Sequence, residues 1–242
     1  MLTLALAGAL ALAVCAAAAL YWTSRSETAL RWAITQLGPR LPGKLEVDGV
    51  RGSLMQPIAI ARLSYAQDGT RVDLRDVELD WSPRTLFMQR TLRIQSLRAG
   101  SVEIALGPGA AERTLPAALA PPFPLDFQRI EIAQLRVMRN AENTVLGPIQ
   151  ASYHADAQAH VLRIERLASS FVDGSAALTL GTRAPFPVTA AFAVRAASSP
   201  QWPVSAKGEA RGDLSTLSVE ANLAVRDIAI PASAQLQPLD AQ

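Results

Sequence analysis

The chain has 242 residues, which is enough to bury the core of one or two domains. Half of its residues are apolar and only 18% are charged, as in a chain with a membrane segment or an apolar groove. The formal net charge of +2 is too small to indicate a nucleic-acid-binding surface, and one cysteine with two histidines leaves a zinc or haem site short of its usual ligands.

Residues 1–23 are predicted to form a transmembrane signal-anchor. The run from Leu2 to Trp22 carries no charge. As a helix it reaches about 30 Å, the thickness of a bilayer core, and Tyr21 lies with Trp22 where interfacial aromatic side chains are expected.

Two alternatives to an uncleaved anchor remain open. Ala16 and Ala18 satisfy a small-x-small cleavage rule, so the segment could be a removable signal peptide. Cys15 could accept a lipid, although Val14 is bulky for such a site. The flanking charges do not give the orientation, because Arg25 and Arg31 follow the apolar run and no basic side chain precedes it.

Residues 24–40 are predicted to form a short juxtamembrane amphipathic helix. Ser26 suits the N-cap, and Gly38-Pro39 ends the helical pattern. Two roles are open for its apolar stripe, which can cap the adjoining sheet or lie on the bilayer surface. The stripe consists of Leu30, Ile34 and Leu37.

From Lys44 onward, apolar and polar residues alternate with a period of two, which predicts a first β-sheet segment over 41–112. Turn signals at Asp68-Gly69 and Ser82-Pro83 separate the strands. The alternation breaks once within the third strand, which predicts a β-bulge near Asp76.

A proline-rich loop over 113–126 is predicted to interrupt the sheet, which then continues over 127–242. No closing element is predicted over 227–242, so the chain is expected to be truncated. Further strands are predicted near 144–155, 159–168, 171–182, 187–196, 203–211 and 216–226.

One apolar pattern occurs twice. Its first copy runs from Leu92 to Ile104 and its second from Phe127 to Val137, and each copy is predicted to form a strand, a short break and a second strand. Such repetition is typical of an elongated sheet that grows by adding similar strands.

The sequence predicts no enzyme and no cofactor. Pro108 removes a backbone donor from Gly107-Pro108-Gly109, so this segment is predicted to be a turn and not a phosphate loop. His154 and His160 lack further metal ligands nearby and are predicted to be surface residues. A cluster of acidic residues is predicted to be a solvated strand surface and not a catalytic pair. Its members are Asp73, Asp76, Glu78 and Asp80.

Several short motifs occur in a specific order between the apolar run and Leu106. They are Ser26-x-x-x-Leu30-Arg31-Trp32, Leu41-Pro42-Gly43-x-Leu45-x-Val47-x-Gly49-Val50-x-Gly52-Ser53-Leu54, Leu63-Ser64-Tyr65 with Asp68-Gly69, Leu79-Asp80-Trp81-Ser82-Pro83, Leu92-x-Ile94-x-x-Leu97 and Val102-x-Ile104. In this order and spacing, the stretch from Trp22 to Leu106 resembles the start of TamB-type proteins of the AsmA-like group. These proteins are the inner-membrane subunits of the translocation and assembly module.

The resemblance implies a single-pass anchor in the bacterial inner membrane with the body of the chain in the periplasm. It implies a long, curved, antiparallel-type β-sheet with an open apolar groove that guides phospholipid between the membranes. The alternative role is assistance in the assembly or secretion of outer-membrane proteins and autotransporters by strand pairing. The implied partner is an outer-membrane protein of the TamA type, whose docking region is not found in this sequence.

The apolar side of the alternating strands is the predicted lipid groove, since acyl chains bind by apolar contact alone. The alternative is that the same residues fill the core of a closed β-sandwich. The groove candidates are Leu45, Val47, Val72, Leu74, Val77, Leu79, Trp81, Leu92, Ile94, Val102, Ile104, Ile130, Ile132, Leu135 and Val137.

Overall fold

The computed structural model describes residues 43–53, 55–67, 69–106, 118–139, 142–197, 203–225 and 228–237. Within these ranges, thirteen β-strands form one sheet, and the single helix, α1, covers Pro83–Gln89. The strands are β1 (Lys44–Arg51), β2 (Ile58–Gln67), β3 (Thr70–Ser82), β4 (Leu92–Leu106), β5 (Leu125–Arg139), β6 (Glu142–Leu146), β7 (Ile149–Ala155), β8 (Ala159–Ala168), β9 (Val172–Gly181), β10 (Pro187–Ala196), β11 (Val204–Asp213), β12 (Leu217–Val225) and β13 (Ile228–Leu236).

The strands follow one another across the sheet in chain order from β1 to β13, except that β6 pairs only with β5. Neighbouring strands are antiparallel apart from β4 and β5, which are parallel. The outer sides of β1 and β13 pair with no described strand, so the sheet is open. The prediction of a mainly-β, antiparallel-type, open sheet is therefore confirmed, and the closed-sandwich alternative is wrong for the described strands.

The predicted anchor over 1–23 and the predicted helix over 24–40 lie outside the described residues. Among the residues that are described, no helix has the length and hydropathy needed to cross a bilayer.

The parallel pair of β4 and β5 accounts for the repeated apolar pattern. Leu97 lies opposite Ile130 and Val102 lies opposite Leu135, so the second copy lies beside the first in register. The predicted break inside each copy is wrong, because β4 and β5 each continue through it as one strand of 15 residues.

A line of unpaired positions crosses the first five strands. We call it the inversion line, and it consists of Gly49, Ala61, Asp76, Gly100 and Ala133. Gly49 and Asp76 adopt left-handed backbone conformations, with φ of 66° and 53°. The strands pair in the same register on both sides of the inversion line. At the line, however, the alternation of side chains between the two faces of the sheet is reversed, so that residues three positions apart point to the same face. Leu74 and Val77 therefore pack in one apolar cluster although they are three residues apart.

The β-bulge predicted near Asp76 is wrong, because β3 keeps its register with β2 and β4 at that residue. The register shifts elsewhere, between Asp80 and Trp81 against β4. It also shifts where β5 meets β7 and where β7 meets β8. An extra residue at such a bulge separates successive apolar residues by three positions while both stay on one face.

Three further predictions need correction. The Ser82-Pro83 turn is instead the start of α1, where proline suits the first helical turn and Thr85 Oγ1 donates to the Ser82 carbonyl at 2.8 Å. The strand predicted over 144–155 divides into β6 and β7 at Gly147, whose φ is 131°. The segment over 227–242 contains β13.

Gly49 provides a test of the inversion line. A Cβ at this position would lie 2.5 Å from the Cβ of Ala61, and its φ is unfavourable for other L-residues. Gly49→Ala is expected to lower the free energy of unfolding by at least about 1–2 kcal/mol. Chemical denaturation measures this loss. Adding Ala61→Gly removes the clash but not the backbone strain, so the double variant should recover only part of the stability. If Gly49→Ala alone were as stable as the parent chain, the left-handed conformation of Gly49 would be contradicted.

Candidate functional site

The apolar residues of successive strands line up in rows that cross the sheet. The Val50 row passes through twelve strands with an apolar residue or glycine at every position, and the Ile58 row does the same from β2 onward. The Val50 row is Val50, Ile60, Val77, Ala99, Ile132, Ile149, Leu167, Gly174, Val194, Ala206, Leu223 and Ile230. The Ile58 row is Ile58, Leu79, Leu97, Ile130, Ala151, Ile164, Ala176, Phe192, Gly208, Ala221 and Ala232.

A third row runs parallel to these from β3 to β13. Its polar groups are the Tyr153 hydroxyl and the indole N–H of Trp81, which is buried without a hydrogen-bond partner among the described residues. The Trp81 row is Trp81, Ile94, Phe127, Tyr153, Leu162, Leu178, Ala190, Ala210, Val219 and Ala234. The three rows together form what we call the apolar face.

Beyond the inversion line, two shorter rows extend the apolar face over β1 to β6. They are Val47, Leu63, Leu74, Val102, Leu135 and Leu146, and Leu45, Tyr65, Val72, Ile104, Val137 and Thr144. Without the inversion these residues would point to the opposite side of the sheet, because side chains alternate along a strand. The inversion line therefore widens the apolar face.

Every groove candidate from the sequence lies in these rows except Leu92. Leu92 is the first residue of β4 and pairs with Leu125, the first residue of β5. Val77, Ile94 and Val102 are buried and the others are half-buried. Two clusters that share Ile60 bring ten of the candidates together. The structure thus places the candidates on one continuous surface, and their binding of lipid stays a prediction.

The sequence analysis missed the continuation of the apolar face over β7 to β13. Many positions there are alanine or glycine, as at Ala206, Gly208 and Ala221, and these residues give only a weak hydrophobic signal. Larger side chains such as Ile164, Leu178 and Val194 were located on predicted strands but were not assigned to the groove. Their cross-strand alignment depends on the bulges, whose positions the periodicity does not define.

The apolar face is long and open. Twelve strands in sequence, spaced about 4.8 Å apart, give it a length of roughly 50 Å. The substantial contacts between described strands are those of hydrogen-bonded neighbours, and α1 contacts β4 at one rim. No described element forms a second layer over the face.

The opposite face carries charged side chains in pairs. Three ion pairs join the parallel strands β4 and β5, and each connects residues that are 33 positions apart. They are Arg93–Asp126 at 2.9 Å, Arg98–Glu131 at 2.8 Å and Arg136–Glu103 at 3.1 Å. These ion pairs form in the same β4–β5 register that aligns the apolar residues on the other face. One face of the sheet is therefore charged and the other apolar.

Asp73 is the most strongly held carboxylate of this charged face. It accepts hydrogen bonds from Arg62 at 3.1 Å and from Arg71 at 2.7 Å. Burial by itself raises the pKa of Asp73, but the hydrogen bonds from Arg71, Arg62 and Ser64 outweigh burial and hold the pKa at about 2. Asp73 is thus a structural ion-pair partner and stays ionised near neutral pH.

The lowered pKa of Asp73 predicts a pH-dependent stability. The ionised form is favoured in the folded chain, so its contribution is complete above the unfolded-state pKa of 3.8 and is lost as pH falls towards about 2. Near pH 7, Asp73→Asn is expected to lower the free energy of unfolding by about 1 kcal/mol, because its arginine partners are half-exposed to solvent. Denaturation at pH 7 and near pH 2 measures the change, with Glu78→Gln on the exposed surface as control. An equal loss at both pH values would contradict the ion-pair account.

His160 corrects the prediction that both histidines are surface residues. Its ring is half-buried, stacks on Tyr153 and forms hydrogen bonds with the Tyr153 hydroxyl at 2.7 Å and the Leu119 carbonyl at 2.9 Å. His154 is exposed, as predicted, and lies 3.6 Å from Asp156. No group of three or more His, Cys, Asp or Glu residues in the described ranges is arranged to hold a metal ion.

Comparisons with known proteins found no relative of this chain. The chain matches no family model, no curated protein and no solved structure. The candidate site therefore rests on the apolar face itself.

Proposed function

We propose that the chain is an inner-membrane-anchored periplasmic scaffold for outer-membrane biogenesis, and that its apolar face guides phospholipid between the two membranes. The observation that carries the proposal is the set of rows that run without a charged residue from the first strands of the sheet to β13. A continuous apolar surface of roughly 50 Å offers an acyl chain apolar contact at every step along it.

The binding energy required for this function is available from apolar contact. Each methylene that leaves water for the apolar face contributes about 0.8 kcal/mol. The phosphate headgroup can remain in water at the open side of the sheet, so its charge need not be desolvated. The proposal requires neither a cofactor nor a catalytic residue.

The membrane anchor, the periplasmic location and an outer-membrane partner of the TamA type belong to the proposal through the resemblance of the stretch from Trp22 to Leu106. The open, mainly-β sheet is consistent with that resemblance. The anchor segment lies outside the described residues, so the topology needs its own test, for which protease accessibility of the chain in spheroplasts is suitable.

Co-purification tests the lipid-binding part of the proposal. The full chain is extracted from membranes in mild detergent, washed, and its lipids are identified by mass spectrometry. The proposal predicts phospholipid bound in a stable ratio to protein. A preparation that retains no more lipid than an unrelated single-pass membrane protein handled in the same way would contradict it.

A second candidate function is strand pairing with an outer-membrane client protein. The observation in its favour is β13, in which all nine residues are exposed and whose outer side pairs with no described strand. A free strand edge can accept a strand from another chain through backbone hydrogen bonds. Crosslinks from β13 to outer-membrane proteins, with no lipid captured on the apolar face, would favour this function over lipid transport.

A further inference from the structure

The helix α1 exposes apolar side chains at one rim of the sheet. Phe87 is 76% exposed and Met88 is 70% exposed, and the helix contains no buried residue. Phe123, from the segment that precedes β5, is also exposed. Large side chains so exposed do not contribute to the core, and together they define what we call the rim patch.

The rim patch is basic as well as apolar. Arg84 lies within α1 and Arg90 caps its C-terminal end, and no carboxylate lies in the helix between them. Neither arginine forms an ion pair with a described carboxylate, whereas the arginines between β4 and β5 are paired. Arg84 Nε instead lies 3.3 Å from the sulfur of Met88, which keeps positive charge beside the apolar side chains.

A concavity of about 340 Å³ lies next to these side chains. Leu86, Phe123 and two prolines line it together with Arg90. An apolar hollow with a cation in its lining suits the upper part of a phospholipid, in which acyl chains adjoin a phosphate.

We propose that the rim patch docks on the surface of a bilayer that contains anionic phospholipid. Phe87 and Met88 insert among the acyl chains near the headgroups, and the two arginines contact lipid phosphates. Exposed aromatic and apolar side chains flanked by unpaired cations are the chemistry of interfacial membrane contacts. The inference rests on the proposed function in one respect. Because α1 directly follows β3, which ends with Trp81 and Ser82, docking there would bring the margin of the apolar face to the membrane.

Site-specific photocrosslinking in the full chain tests the docking, because the chain offers a matched control. A photoreactive phenylalanine derivative replaces either Phe87 or Phe171. Phe171 is 79% exposed, lies in the β8–β9 turn at the opposite rim and has no arginine or lysine among its nearest chain neighbours. Phospholipid adducts are expected at Phe87 in at least fivefold excess over Phe171.

Charge reversal supplies the second variant. Arg84→Glu with Arg90→Glu is expected to reduce lipid capture at Phe87 by roughly fivefold or more, since each basic residue near an anionic surface strengthens binding by about that factor. Neither arginine is buried, so the fold should be retained. Equal capture at the two phenylalanines, protein adducts alone at Phe87, or capture unaffected by charge reversal would each overturn the proposal.

Capture at Leu79 on the apolar face, measured in the same membranes, separates the two proposals. Lipid at Leu79 without lipid at Phe87 overturns membrane docking and leaves lipid guidance in place. Lipid at Phe87 without lipid at Leu79 overturns lipid guidance and leaves docking in place.

Discussion

Val77→Asp is expected to destabilise the sheet strongly, lowering the free energy of unfolding by about 3–5 kcal/mol. Val77 is only 5% exposed and packs with Ala99 and Val102 at the centre of an apolar cluster. The substitution removes apolar contacts and places a carboxylate where no described cation pairs with it, so the cost of burying charge adds to the lost hydrophobic contribution. Such a loss is a large part of the total stability of a typical domain.

Denaturant unfolding followed by far-ultraviolet circular dichroism measures the effect of Val77→Asp. Val77→Ala separates the lost volume from the added charge and should cost less. Glu78→Ala, at the next residue on the charged face, should change stability by about 0.5 kcal/mol or less. A small effect of Val77→Asp would mean that this part of the apolar face is not packed as described.

Ala221→Asp is expected to block passage of lipid along the apolar face while the sheet stays folded. Ala221 lies in the Ile58 row between Gly208 and Ala232, and its small side chain is half-buried. An ionised carboxylate there interrupts the hydrocarbon surface that an acyl chain must cross. We expect lipid captured at Ile230, on the far side of the substitution, to fall at least tenfold, and capture at Leu79 to persist.

Asn222→Asp is the matched control for Ala221→Asp. It introduces the same charge one residue further along β12, where Asn222 is exposed and lies opposite Lys207 on the other face. It should leave lipid capture at Ile230 unchanged. If both variants reduced capture equally, the effect would be one of net charge or folding, and the apolar face would not be the path of the lipid.

Strand bounds were predicted well for β8 and β10, which agree with the sequence prediction at both ends. β10 alternates throughout between turns, whereas the alternation of β8 is interrupted by a register shift between Ile164 and Leu167. The repeated pattern from Leu92 and from Phe127 identified two equivalent segments, but each was predicted to be divided by a break that β4 and β5 do not have. Periodicity contains no information on their relative direction, so the parallel pairing of β4 and β5 was not predicted.

Positions where apolar residues are spaced by three were harder to interpret. At Asp76 the step arises from a left-handed residue, and between Ile94 and Leu97 it arises from a register shift. Both keep the apolar side chains on one face, and the spacing alone does not distinguish them. The edge strand β13 was not predicted. It contains Pro231, a residue that is unfavourable within a central strand but is tolerated at an edge.

The central claim is that acyl chains lie on the apolar face, and photocrosslinking at adjacent residues tests it most directly. Crosslinkers are placed in the full chain at Leu79, Ile94 and Leu178, with controls on the opposite face at Glu78 and Thr179. The account predicts phospholipid adducts at the three apolar positions and little or none at the two controls. Absence of lipid at all three positions, or equal labelling of both faces, would contradict it.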